Sequence, residues 1–182
     1  DNVMGAVALF NDPKGFGLGH RHITISTVGL VDKIDRFADE QTQVNLAISL
    51  HAPTDATRST IMPVNRKFST EELMAAVARY IAKTNRKVFF EYVMLAGVND
   101  SDDDARELAR RMRGPLYHVN VIPYNSTPDA AVRGTDDKRI WEFAKILETH
   151  GTAVTVRTPM GRDIAAACGQ LRAETQPRAK AS

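Results

Sequence analysis

Apolar residues along this chain switch between two periods in a regular order. Val44–Leu50 (VNLAISL), Lys87–Leu95 (KVFFEYVML) and Tyr117–Pro123 (YHVNVIP) are short runs dense in aliphatic and aromatic residues, the pattern of buried strands. Ile23–Ser26 and Thr152–Arg157 complete a set of about five. Between the strands the spacing becomes helical. Leu73, Ala76, Val77, Tyr80 and Ile81 share one face of Ser69–Lys83, which opens on the capping box Ser69-x-x-Glu72. Ala105, Leu108, Ala109 and Met112 do the same in Asp102–Arg113. Its acids lie in the first turn and its arginines in the last, as the helix dipole favours. Ile140, Phe143, Ala144 and Leu147 predict a helix over 136–149, ended by Gly151. A weaker helix over 29–39 carries Leu30, Ile34 and Phe37 on one face. Asp1-Asn2 caps the apolar residues from Val3 to Phe10, a helix already under way. With no Met in front of it, the expectation is a polypeptide that begins inside a longer protein.

Strand and helix in alternation, with long apolar strands, predict an α/β fold: a parallel sheet covered by helices. A doubly wound open sheet and a (β/α) barrel both fit, but five strands are too few for a complete eight-unit barrel. Either architecture binds ligands beyond the carboxyl ends of its strands, and polar residues collect there. The first strand ends in Ser26-Thr27-Val28-Gly29, the second in Ser49-Leu50-His51-Ala52-Pro53. The third passes through Glu91 to Gly97-Val98-Asn99-Asp100. The fourth ends Pro123-Tyr124-Asn125 and enters the longest polar connection, 124–135. Any one of these is an ordinary cap or turn; four at one end of a sheet imply a shared pocket.

Composition narrows the class. The 182 residues suit one domain, and 43% hydrophobic with 25% charged residues is a globular balance that rules out disorder throughout. A formal charge of +2 neither demands nor forbids a nucleic-acid partner. No apolar run approaches the roughly 20 residues that span a bilayer, and residues 1–10 lack the form of a signal peptide. No membrane partner is expected, and the cytoplasm is the default location. The single cysteine, Cys168, cannot support an internal disulfide or an all-cysteine metal site.

Several smaller features carry less. Gly15-Phe16-Gly17-Leu18-Gly19 precedes a strand instead of joining a strand to a helix, so it is a flexible connection and not a phosphate loop. His20 and His22 belong to the surface, with no acidic partner nearby to complete a metal site. Arg79, Lys83, Arg86, Lys87, Arg106, Arg110, Arg111 and Arg113 read first as solvated helix faces, with collective RNA contact as the alternative. Cys168 in Ala167-Cys168-Gly169 is either a small buried residue or a reactive thiol on a loop.

Longer strings add a resemblance. Ile23–Gly29 (ITISTVG), Leu46–Pro53 (LAISLHAP), Ile61–Lys67 (IMPVNRK), Glu91–Leu95 with Val98-Asn99-Asp100, and Asn120–Asn125 (NVIPYN) resemble the radical-SAM adenine methyltransferases of 23S rRNA and tRNA. The most specific string is the last, Val156-Arg157 followed by Gly161–Leu171 (GRDIAAACGQL). The resemblance runs in order from about residue 1 to residue 172. It implies parallel strands of a partial (β/α) radical-SAM barrel, truncated on the N-terminal side; beyond it, the composition of 173–182 reads as a polar basic tail without fixed structure. It implies methylation of adenine C2 in 23S rRNA and possibly tRNA, in preference to the related C8 reaction that confers antibiotic resistance. Cys168 matches the cysteine that is itself methylated by one S-adenosylmethionine; a 5′-deoxyadenosyl radical from a second then activates that methyl group. Ser26, Ser49, Leu50, His51 and Asn125 match positions that contact S-adenosylmethionine. A reductant for a 4Fe–4S cluster would be a further partner.

The departures from that pattern are equally clear. The CxxxCxxC motif that holds the cluster is absent, as are a second catalytic cysteine and the Gly-Glu-Pro motif. The chain therefore reads as the C-terminal portion of such an enzyme, inactive alone, with no metal ligands of its own. A cluster-less RNA-binding derivative is the alternative. An unrelated α/β lyase or isomerase would have only Glu91 and His51 as its acid–base pair. With early strands missing, Ile23–Ser26 should form an unpaired sheet edge prone to self-association.

Overall fold

The computed structural model describes residues 2–40, 42–125 and 132–158. Strands and helices alternate: α1 (Asn2–Asn11), β1 (Thr24–Thr27), α2 (Val31–Asp39), β2 (Asn45–Ser49), α3 (Asp55–Ile61), α4 (Thr70–Thr84), β3 (Val88–Met94), α5 (Asp102–Arg111), β4 (Tyr117–Pro123), α6 (Asp137–Thr149) and β5 (Ala153–Val156). The five strands form one parallel sheet in the order β1-β2-β3-β4-β5. Strand order that follows chain order, with right-handed crossovers, sends every connection across the same face. A doubly wound sheet needs a reversal of order, and there is none among the described strands. The architecture is therefore that of an opened (β/α) barrel.

Side-chain alternation gives the two faces opposite character. Val88, Phe90, Tyr92 and Met94 of β3 are completely buried, together with Val119 and Val121 of β4 and Leu46 and Ile48 of β2. They meet Leu73, Val77, Tyr80, Leu108, Phe143 and Leu147 from the helices in one continuous core. The ring of Phe37 on α2 stacks on Tyr80 of α4, with centroids 5.9 Å apart. The other face carries Phe89, Glu91 and Val93 of β3, each half-buried. No helix among the described residues covers it.

The helix boundaries follow from local chemistry. The Ser69 hydroxyl accepts from the Glu72 N–H while Glu72 accepts from the Ser69 N–H, completing the predicted box. A second box, Ser101 with Asp104, starts α5. Gly151, at φ 81°, follows α6 as a left-handed terminator.

Three details differ from expectation. The glycine-rich segment 15–19 is not a loose connection: Gly15 and Gly17 N–H both donate to the Asp12 carbonyl, and Leu18 N–H donates to Phe10, closing an ordered turn. The helix expected over Asp102–Arg113 ends at Arg111. The short helix α3 has too few apolar positions for its periodicity to register, and its Thr54 cap, accepting from Thr57 N–H, is the signal that marks it. The basic residues on the helices are largely paired. Arg79 bonds Asp35 at 2.7 Å, Lys83 pairs with Asp39, and Arg106 pairs with Asp102 and Asp103. As exposed pairs they add little stability, but they occupy the charges that RNA contact would need.

Candidate functional site

The carboxyl ends of β1, β2 and β3 are joined by two buried polar side chains. The first is Arg58 of α3, which has no exposed surface. Its Nη2 donates to the Val28 carbonyl at 2.7 Å and to Ser49 at 3.3 Å, its Nε to Leu50 at 3.1 Å, and its Nη1 to the Asn65 side chain at 2.9 Å. A guanidinium is suited to this because five donors radiate from one rigid plane. Asn65 is held in turn by Asp55, whose Oδ1 also accepts the Thr70 N–H at 2.7 Å. Burial works to raise the Asp55 pKa, but the bonds from Thr70 and Asn65 outweigh it and hold the carboxyl below its usual value.

The second is Asn99, also fully buried. Its Nδ2 donates to the carbonyls of His51 and Val93, both at 2.7 Å, and its Oδ1 accepts the Leu95 N–H at 2.7 Å. The Tyr92 hydroxyl donates to the Asn99 carbonyl at 2.7 Å. Every polar group of the Asn99 side chain is used, which is what a buried amide requires.

These ties shape the end of β2. The N–H groups of Leu50 and His51 both donate to the Glu91 carbonyl, at 3.1 and 3.2 Å, so the chain curls as it leaves the sheet. His51 then takes φ 57°, a left-handed conformation that few non-glycine residues adopt. The Val93 N–H donates to its Nδ1 at 3.2 Å. Nδ1 is thus an acceptor, and the ring proton resides on Nε2. Burial, and secondarily the Arg58 cation, push the His51 pKa down to about 4. The imidazole is neutral at physiological pH, with one N–H to offer.

Two residues below, polar side chains lie abreast across the open face. Ser49 is in register with Glu91, Glu91 with Asn120, and Asn120 with Thr155. Asn120 Nδ2 donates to Glu91 Oε1 at 2.8 Å. His118 Nε2 lies 2.9 Å from the Thr155 hydroxyl. Desolvation, helped by Lys87 and Arg157, depresses the His118 pKa.

The structure therefore brings Ser49 and His51 to one rim, with Asn125 just past the end of β4. Ser26 sits on the edge strand, in register with Ala47 and not with Ser49. It lines a separate, mostly apolar groove of about 370 Å³ formed with Met4, Ile25, Ile34 and Phe37. Leu50 turns its side chain into the core, and both its backbone groups are bonded. Glu91 and His51 meet through the main chain; no hydrogen bond joins their side chains among those described. Cys168 lies outside the described residues, as do 126–131 of the connection after β4. Arg58 and Asn120 were not singled out as site residues in the sequence, since nothing local distinguishes a tying arginine from a surface one. Among the described residues no group of three or more His, Cys, Asp or Glu could hold a metal ion, and no helix is long and apolar enough to cross a membrane.

No family model matches the chain. A protein of Caldanaerobacter subterraneus named probable dual-specificity RNA methyltransferase RlmN is 49% identical over 172 residues, covering 94% of the chain and 50% of the relative. A protein of the same name from Chloroflexus aurantiacus is 52% identical over 177 residues, covering 94% of the chain and 47% of the relative. The crystal structure of a radical SAM methyltransferase from Sphaerobacter thermophilus superposes with a TM-score of 0.88 at 50% identity, over 92% of this chain and 49% of that one. Over that span, the chain is similar to radical SAM methyltransferases. It covers about half the length of the curated relatives it matches. A domain of pyruvate-formate lyase-activating enzyme from Bacteroides vulgatus, 17% identical with a TM-score of 0.55, shares the fold alone.

The residues present fit one of the two groups that radical SAM methyltransferases use and not the other. A neutral imidazole N–H, a serine hydroxyl and a carboxylate around one rim suit the hydroxyls and amine of an adenosyl group. A 4Fe–4S cluster needs three thiolates, and this chain has one cysteine. No step through a cluster can be assigned to these residues.

Proposed function

We propose that this chain is part of an RNA methyltransferase that methylates C2 of adenine in 23S rRNA, and in tRNA, and that it supplies the S-adenosylmethionine rim and the methyl-carrying cysteine. The observation that carries the reading is the position of Ser49, His51 and Asn125 at the carboxyl ends of β2 and β4, the two strands that flank β3, in a chain about half identical to relatives named as RNA methyltransferases. When bound, S-adenosylmethionine supplies the methyl group and the radical chemistry that C2 of adenine needs, that carbon being a poor nucleophile. His51 donates Nε2–H to the cofactor, and its neutrality keeps a second positive charge away from the sulfonium. Ser49 adds a hydroxyl beside it and Asn125 an amide from just past the end of β4. Cys168 accepts the first methyl group as a thiolate.

A chimera tests this directly. The first half of the Caldanaerobacter relative, joined ahead of this chain, is expressed in a bacterium lacking its own adenine methyltransferase. Nucleosides from 23S rRNA are then analysed by mass spectrometry. 2-Methyladenosine is expected from the chimera and is lost in Cys168→Ser. A chimera that yields no methyladenosine, where the intact relative restores it, counts against the reading; 8-methyladenosine overturns the C2 assignment.

A further inference from the structure

Glu91 is the one charged side chain on the open face of the described part of β3, and nothing in the core accounts for it. Its neighbours in register are Ser49 on one side and Asn120 on the other. Adjacent strands lie roughly 4.8 Å apart, so the three side chains form a continuous polar row. Asn120, almost fully buried, donates Nδ2 to Glu91 Oε1 at 2.8 Å. That bond fixes the carboxylate plane and occupies one oxygen. Among the described residues no lysine or arginine forms an ion pair with Glu91. A half-buried carboxylate held by a single amide is a costly feature unless something else donates to it.

The row lies at the depth of Ser49 and about 6.6 Å, two residues, below the His51–Val93 level, by the rise of a strand. Strands on both sides of β3 supply residues proposed above for the cofactor: Ser49 and His51 from β2, Asn125 from beyond β4. Glu91 is therefore the floor between them. The donors available to a floor carboxylate in a nucleoside pocket are sugar hydroxyls, and a carboxylate accepts a pair of them better than any neutral side chain.

We propose that Glu91, oriented by Asn120, is the acceptor for the ribose hydroxyls of an adenosyl group bound at this rim; this rests on the function proposed above. Asn120 is a positioning residue, acting through the carboxylate. A vicinal diol exists on a free adenosyl group, whereas adenosine inside an RNA chain keeps only its 2′-hydroxyl, so the two sources can be told apart by experiment.

The test uses the whole chain and calorimetric or NMR titration with S-adenosylhomocysteine, adenosine, 2′,3′-dideoxyadenosine and a dinucleotide in which the 3′-oxygen of adenosine is esterified to a 5′-phosphorylated 2′,3′-dideoxynucleoside, so that no vicinal diol remains. Glu91→Gln keeps the shape and the bond from Asn120 but removes the charge. Expected is at least tenfold weaker binding of S-adenosylhomocysteine and adenosine, no change for dideoxyadenosine, and a thermal midpoint equal to or above that of the unsubstituted chain. Asn120→Ala is expected to weaken the same two ligands in the same direction. If only the dinucleotide loses affinity, the hydroxyl belongs to the RNA and the diol assignment falls. Equal loss for dideoxyadenosine, or no loss for any ligand while the unsubstituted chain binds, overturns the role of Glu91 and leaves the proposed function standing. An unsubstituted chain that binds none of the four overturns the assignment of Glu91, and the chimera decides the proposed function separately.

Discussion

The side-chain amide of Asn99 donates to the main-chain carbonyl of His51 at 2.7 Å, across 48 residues of sequence. The same amide bonds Val93 and Leu95. His51 therefore owes its left-handed backbone to a residue in the turn after β3. Asn99→Ala strands two carbonyls and one N–H in a buried place, at about 1–3 kcal/mol each where no water enters. A total loss of about 3–5 kcal/mol is expected, measured as urea midpoints at constant slope. A loss below 1 kcal/mol would show that the three groups find other partners.

His51 gives the fold a pH dependence whose sign is fixed. Its pKa falls from 6.5 unfolded to about 4 folded, so between those values the unfolded chain holds the extra proton. Stability is then fully present above about 6.5 and declines as the pH drops toward 4, by about 3 kcal/mol at most. His118 is shifted in the same direction and adds to the slope. His51→Gln should flatten the curve over this window, and nitrogen NMR of the imidazole at neutral pH should report the Nε2–H tautomer. An Nδ1–H tautomer would refute the bond from Val93.

Arg58 is the other tie, and its charge is dispersed over the carbonyls of Val28, Ser49 and Leu50. Removing one partner of a buried ionic network costs about 3–5 kcal/mol. Arg58→Ala is expected to reach that range in chemical denaturation. Arg58→Lys should recover only a minor part, since one ammonium cannot reach acceptors spread along a planar fork. Full recovery by lysine would mean that charge alone matters here.

Gly29 follows the same tie. Its φ is +97°, and a Cβ there would sit 3.1 Å from a Leu73 methyl and 3.2 Å from Arg58 Nη2. Gly29→Ala combines backbone strain with overpacking, at about 2–4 kcal/mol. Thermal unfolding of the variant, expected well below the parent, is the check.

Among the described residues β1 pairs with β2 alone, and Val3, Leu9, Phe10 and Phe16 of and after α1 are exposed beside it. Unpaired strand edges and apolar surface favour association. Sedimentation velocity over a wide concentration range is expected to show growing species. A single monomer boundary throughout would contradict this.

The strands and the helices with long apolar faces were legible because burial imposes a period on residues such as Leu73, Val77 and Tyr80. Parallel strand order followed from the alternation, but the choice between barrel and doubly wound sheet did not, since both share one local pattern. Ser49 and His51 were legible as strand-end residues. Arg58, Asn99 and Asn120 were not legible in their roles, because each acts through partners far away in the chain and looks locally like a helix, turn or strand residue. The resemblance added Cys168, which no periodicity distinguishes.

β3 alternates without exception through Val88–Met94, buried residues toward the helices and half-buried ones away from them. Inserting or deleting one residue ahead of Glu91 would exchange the two sets, sending a carboxylate among the helices and Phe90 and Tyr92 into the open. Beyond Met94 no such parity applies, and the turn that leads to Asn99 bears on the strand only through its bonds. Substrate preference can thus evolve by changing loop lengths at the mouth, while the reading frame of the strand beneath admits no slip.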